Sequence, residues 1–174
     1  MRSSGFTLIE LLTTISISAA LLTIGIPSFS KQIQNSRVET AMLSLQESLQ
    51  LTRVSAVSTN KRATISNLKK WEEGWEVFID LNNNGIREPN EDAIKKYEKL
   101  KGIRISTTEP VKTYVSYIGT GEGTKANGKT GGAFQAGTFT ICPEAKGAGY
   151  ELTLARGGRV RKSDITEREC EAKR

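Results

Sequence analysis

From Phe6 to Ile26 the chain carries one formal charge, Glu10, in a run that is otherwise apolar or hydroxylic, FTLIELLTTISISAALLTIGI. At ~20 residues such a run is long enough to cross the hydrocarbon core of a bilayer as a helix, so 6–26 is predicted to be a transmembrane segment. A cleaved secretory signal has a shorter apolar core, roughly 7 to 15 residues, and small residues at its cleavage site. Gly25-Ile26-Pro27-Ser28 is a poor match to such a site. The acid is the anomaly. Moving a charged side chain to the bilayer centre costs ~2.5 to 3.5 kcal/mol even on the lenient insertion scale, and a place near the start of the span softens that cost. Either Glu10 reaches the headgroups or it has a partner in the apolar phase.

Ser4-Gly5-Phe6-Thr7-Leu8-Ile9-Glu10 resembles the class III leader of type IV pilins and pseudopilins. In these a short basic leader ends in Gly, and the next residue, commonly Phe, is followed four places on by Glu. The resemblance implies a leader at 1–5, cleavage after Gly5 by the prepilin peptidase and methylation of the new amino terminus on Phe6. It also implies a role for Glu10 in docking that terminus during fibre assembly. A neighbouring subunit's ammonium would make the carboxylate tolerable in a packed helical core. Loss of either partner from a buried pair costs roughly 3 to 5 kcal/mol, enough to select subunit register.

Subtracting the helix from 174 residues leaves about 110 for a compact head, enough for one core. The net charge of +6 and pI near 9.4 suit a polyanion or an anionic surface as partner. There is no His, which removes the commonest general base and metal ligand and any Ser/His/Asp or Cys/His nucleophilic arrangement. No enzymatic activity, cofactor or metal is expected. A pilin-like anchor places Cys142 and Cys170 in an oxidising compartment, where a disulfide between them is expected, with free buried thiols as the alternative. Such a bridge would stabilise the head by ~3 to 4 kcal/mol.

Pro27 removes one helical hydrogen bond and is predicted to kink the helix without ending it. Met42, Leu45, Leu49, Thr52 and Ala56 recur at three- and four-residue steps, one face of an amphipathic helix, with Gln46, Glu47, Gln50 and Arg53 turned away. The prediction is one long bent helix over 6–57, transmembrane at 6–26 and amphipathic at 27–57, followed by a β-rich head over 58–174. Candidate strands are Ala63 to Leu68, Gly74 to Asp80, Ile103 to Thr108, Thr113 to Gly119, Gly137 to Cys142, Tyr150 to Arg156 and Arg159 to Ile165. The Gly-rich stretch 119–137 is predicted to be a mobile loop. The fold class is α+β, a long N-terminal helix packed on an antiparallel sheet. That is the pilin fold the leader implies. Leu51 to Val57 leading into a strand, and Gly74-Trp75-Glu76-Val77-Phe78-Ile79-Asp80 before an Asn/Gly turn, resemble minor pilins and pseudopilins of the GspH/FimT type.

Two stretches carry candidate chemistry. Asp80 to Glu91 fits the calcium-loop pattern D-x-[DN]-x-[DN]-G-x5-E. It follows a strand where an EF-hand has a helix, and Arg87 and Pro89 are awkward within it. A structural hairpin with Asn84-Gly85 at positive φ is the preferred reading. The second stretch is Arg156-Gly157-Gly158-Arg159-Val160-Arg161-Lys162, a strand entering a Gly-Gly turn, with Arg159 and Arg161 expected on one face beyond it. Two residues along a strand span ~6.6 Å, comparable to two ~3.4 Å steps along one DNA strand, and the planar guanidinium grips phosphate oxygens bidentately. Gly158-Arg159-Val160-Arg161 resembles the GRxR element of FimT-type minor pilins. The resemblance implies DNA capture for natural transformation through this element; the candidate contacts are Arg156, Arg159, Arg161 and Lys162, and Lys125, Lys129 and Lys146 would widen the patch. A solvated basic hairpin is the alternative. No aromatic platform is evident near the arginines, so phosphate-led, sequence-independent contact is expected.

The resulting expectation is a minor pilin or pseudopilin anchored in the inner membrane with its head in the periplasm, and at a fibre tip or the cell surface after assembly. Its partners would be other pilin subunits, the prepilin peptidase and DNA. The alternative is a purely structural, priming subunit of a type II secretion pseudopilus. A free-standing calcium module is the third possibility.

Overall fold

The computed structural model describes residues 7–173, the side chains at 24–28 excepted. Helix α1 runs Leu8–Thr59, so its backbone is continuous across Pro27; the kink expected there lies outside the described residues. Residues 7–34 belong to one compact unit and 35–173 to another.

The arm is a helix of exposed aliphatic side chains, among them Leu8, Leu11, Ile15 and Leu22. Its hydroxyls do not need water. Those of Thr13, Thr14, Ser16, Ser18 and Thr23 each donate to a carbonyl three or four residues back, at 2.7–3.0 Å, and that satisfaction lets Ser and Thr sit in an apolar phase. Among the described residues no helix is long and apolar enough to cross a membrane. The expected span 6–26 takes in Phe6 and the side chains at 24–26, outside the described set.

In the head, the α1 stripe Met42, Leu45, Leu49, Thr52 and Ala56 is fully buried, as the periodicity requires. Trp75 donates its indole N–H to Ser48 Oγ at 2.8 Å, giving a buried ring the polar partner it needs. The strands are β1 Ala63–Asn67, β2 Trp75–Ile79, β3 Ala93–Tyr97, β4 Ile103–Thr107, β5 Tyr114–Tyr117, β6 Gly137–Pro143, β7 Gly149–Leu154 and β8 Val160–Ile165, followed by helix α2 Glu167–Ala172. They form two four-stranded antiparallel sheets where one was expected, in the orders β3-β2-β1-β5 and β4-β6-β7-β8. Ile65 and Val77 from the first and Phe139, Ile141 and Leu152 from the second share one core with the α1 stripe. Each such side chain contributes ~1.5 to 3 kcal/mol on burial.

Several expectations are corrected. Strand β3 was not anticipated: AIKKY is an edge strand, mostly exposed, and edge strands carry lysines because they discourage pairing with other chains. Trp75 and Val77 enter the core and Ile79 packs against it, while Phe78, paired with Thr64 on the other face of β2, is buried as well. Helix α2, also unforeseen, opens with a capping box in which Thr166 Oγ1 accepts from the Glu169 N–H and the Glu169 carboxylate accepts from the Thr166 N–H.

The stretch 119–137 has fixed partners and is not a free loop. Gln135 is fully buried, its carbonyl accepting from the Ser116 N–H at 3.0 Å and its amide donating to Tyr114 and Pro110 carbonyls at 2.8 and 2.6 Å. Buried Arg62 reaches Thr124 Oγ1 at 3.1 Å and the carbonyls of Lys129 and Thr130 at 3.3 Å. Burial lowers the Arg62 pKa, and the Asp80 carboxylate works against that shift.

Candidate functional site

The processing pair Gly5 and Phe6 lies outside the described residues. Glu10 stands at the start of α1, exposed, and its Oε2 accepts from Thr7 N–H at 3.0 Å and Thr7 Oγ1 at 2.8 Å, while its own N–H donates to Thr7 Oγ1 at 3.3 Å. Thr7 and Glu10 thus form a capping box, an S/T-x-x-E spacing legible in the sequence but overlooked there. Within one chain the carboxylate has local donors.

Asp80 and Glu91 are buried, but main-chain donors engage both. Asp80 accepts from the N–H groups of Asn84 and Gly85 at 3.0 and 2.9 Å and from Thr64 Oγ1 at 3.0 Å. Glu91 accepts from Leu81 N–H at 2.7 Å and Glu88 N–H at 3.1 Å. Amides of Asn82 and Asn84 donate to Glu88 and hold its carboxyl below the ordinary value. The connection is a self-bonded β2–β3 link whose positive φ falls on Asn83 and Gly85, not on Asn84. Among the described residues, no group of three or more His, Cys, Asp or Glu side chains is placed to hold a metal.

The basic hairpin forms where expected, with different details. Strand β7 ends at Leu154 and β8 begins at Val160, the two residues being paired. The turn is therefore the five residues 155–159, closed by Ala155 N–H to Arg159 O and Gly158 N–H to Ala155 O, both at 2.9 Å. Gly158 has φ +75°, and a Cβ there would collide with the Gly121 carbonyl, so no other residue fits without strain.

Arg159 belongs to this turn, not to the strand. It lines a groove of 290 Å³ with Leu49, Gln50 and Arg53 of α1, while Arg161 sits on β8 opposite Thr153. Strand spacing therefore does not set their separation. Both are exposed, and among the described residues neither side chain has a hydrogen-bond or ionic partner. Lys162 is committed elsewhere, its ammonium 4.5 Å from the Tyr150 ring centroid and 3.8 Å from Asp164. Arg156 lies over the Phe134 ring, 3.9 Å from its centroid. Arg156 thus has an aromatic neighbour after all, brought from 22 positions away by the 119–137 stretch. Lys146 pairs with Glu171 at 3.3 Å, beside α2, so it does not extend the patch at the turn.

Two devices brace the hairpin. At its base Cys142 on β6 and Cys170 on α2 form the expected disulfide, 28 positions apart with a Cα–Cα distance of 5.8 Å. At its tip Arg53 of α1, expected to face solvent, donates from Nε to Gly121 O at 2.9 Å and from Nη2 to Gly157 O at 3.1 Å. One guanidinium thereby clasps two glycine turns to the helix. Sequence gave no signal for that contact, which spans 104 positions.

A family model described as type II transport protein GspH matches residues 41–158, and one described as the prokaryotic N-terminal methylation motif matches residues 1–26. No curated protein matches the chain. Among solved structures the fold is similar to the type IV minor pilin FimU of Pseudomonas aeruginosa in two crystal forms. The first has TM-score 0.56 and 19% identity over 74% of this chain and 90% of that one. The second has TM-score 0.54 and 20% identity over 72% and 91%. It is also similar to the minor pseudopilin EpsH of the Vibrio cholerae type 2 secretion system, with TM-score 0.52 and 14% identity over 74% and 97%.

Proposed function

The chain belongs to the GspH family of type II transport proteins, and from that premise we propose that this minor pilin or pseudopilin subunit binds DNA without sequence preference through its β7–β8 hairpin. The observation that carries the proposal is the tip itself. Arg159 in the turn and Arg161 at the start of β8 are exposed and unpaired among the described residues, on a hairpin braced by the Arg53 clasp at its tip and the disulfide at its base. A braced backbone loses less freedom on gripping phosphate than a mobile tail would.

The methylation-motif match over 1–26 supports the rest of the reading: a leader at 1–5 removed after Gly5, methylation on Phe6, an inner-membrane anchor at 6–26, an amphipathic helix at 27–57 and a periplasmic head at 58–174. Exposed aliphatic side chains with internally bonded hydroxyls suit both a bilayer and the helical core of a fibre of sister subunits. The chain is read as a fibre component and not as an enzyme. The second reading, a fibre-priming pseudopilin without DNA contact, draws on the family's description and on the likeness to EpsH.

Duplex binding by the full chain in neutral detergent, measured by gel shift and anisotropy across a salt series, separates the two. The wild type is expected to bind at low salt, and Arg159→Gln with Arg161→Gln to lower the log–log salt slope by ~1.8, about 0.9 for each phosphate contact removed. No shift by the wild type would count for the second reading, and an equal slope in the double variant would remove Arg159 and Arg161 from the contact.

A further inference from the structure

Phe134 is 52% exposed, on backbone that is tied down on both sides. Its backbone bridges to Thr124, the next residue donates Gln135 N–H to Gly123 O at 2.7 Å, and the Gln135 side chain is fully buried among three main-chain partners. The exposed ring thus stands on hydrogen-bonded backbone. The guanidinium of Arg156 stacks over the ring, its Cζ 3.9 Å from the ring centroid. A guanidinium over a ring still has N–H groups free to meet phosphate oxygens. Phosphate donors on the turn that carries Arg159 therefore occur beside a π-face from Phe134.

We infer that the Phe134–Arg156 stack is a platform for an unpaired base, so that the hairpin takes single-stranded DNA in preference to intact duplex; the inference rests on the DNA-binding reading given above. In a duplex each base face is covered by its neighbours and only phosphates and groove edges are offered. An unpaired base exposes its π-face, and an aromatic ring or an arginine plane accepts any of the four. The platform adds nothing for duplex and one stacked base for a single strand. Arg159 and Arg161 supply the flanking cations in both cases.

The test uses the full chain in neutral detergent micelles, with fluorescence anisotropy on a labelled mixed-sequence single strand and on a duplex of equal length. Phe134→Ala is expected to weaken single-strand binding about tenfold, the scale of one lost stacking contact, and to change duplex affinity less than about twofold. Phe134→Trp is expected to keep single-strand affinity and to lose fluorescence on binding. That signal is readable because Trp71 and Trp75 are buried; the tryptophan variant also controls for any loss of folding in the alanine one. If duplex binds but Phe134→Ala leaves the single strand unaffected, or Phe134→Trp is not quenched, the platform is refuted and the DNA-binding reading stands. If the wild type binds neither form, the DNA-binding reading fails and takes the platform with it.

Discussion

Arg53→Met tests how the hairpin tip is held. Methionine keeps much of the aliphatic stem and removes the fork that bridges Gly121 and Gly157. Hydrogen bonds to charged groups are worth about 1.5 to 3 kcal/mol each. The bond to Gly121 is partly buried and that to Gly157 exposed, so water replaces much of the second, and the loss is set at about 2 kcal/mol in total. For a head of this size that lowers the midpoint of thermal unfolding by roughly 6 to 10 °C. Amide exchange is the sharper readout. The Gly158 N–H, bonded to Ala155 O, and the Gly121 N–H, bonded to Ile118 O, should lose protection while the β6–β7 ladder keeps its own. In DNA binding the variant should raise Kd without altering the salt slope, because Arg53 positions the turn and touches no phosphate. A midpoint change no larger than an ordinary surface substitution, about 0.5 kcal/mol, with protection of both glycine amides intact, would refute the clasp. A reduced salt slope would make Arg53 a contact residue instead.

Two further outcomes follow from the head alone. Replacing Cys142 and Cys170 by Ala should cost ~3 to 4 kcal/mol in urea unfolding, with the denatured ensemble absorbing most of the effect; a loss under about 1 kcal/mol would contradict the bracing role of the bridge. Tyr117 is buried, its hydroxyl lacks a partner among the described residues, and burial pushes its pKa upward. The neutral form is therefore favoured in the fold. Stability from this group is complete below the ordinary tyrosine range and lost as pH rises above it, because only the unfolded chain then releases the proton. Tyr117→Phe should be neutral or slightly stabilising at pH 7 and should flatten the alkaline decline seen in thermal melts; an unchanged alkaline limb would place water at that hydroxyl.

Much of the fold was legible because the relevant signals are local. The 3.6-residue stripe from Met42 to Ala56 and the short β-rich runs each announce themselves within a few residues, and the two cysteines had only each other to pair with. What escaped depends on tertiary partners or on sequence that disguises its role. AIKKY reads as a solvated loop because an edge strand carries charge on both faces. The division into two sheets follows from pairing choices between strands of equal quality, on which local patterning is silent. Glycines at 119–137 suggested mobility, but order there comes from single polar residues, Gln135 and Arg62, whose partners lie far along the chain. At the candidate site the arginines were readable by type, but not by spacing. The Arg53 clasp, the displacement of Arg159 into the turn and the Phe134–Arg156 stack needed coordinates, since each joins segments distant in sequence. The two capping boxes, Thr7/Glu10 and Thr166/Glu169, were readable by spacing and were missed beside stronger apolar patterns.

The account as a whole depends on the chain being a processed fibre subunit, and intact-mass measurement with N-terminal sequencing of the protein from cells containing a prepilin peptidase tests that most directly. The prediction is a mature chain that begins at Phe6, carries one methyl group on its amino nitrogen and reverts to the full precursor when the peptidase is absent. A mature chain still beginning at Met1, or cut beyond the apolar run, would contradict it.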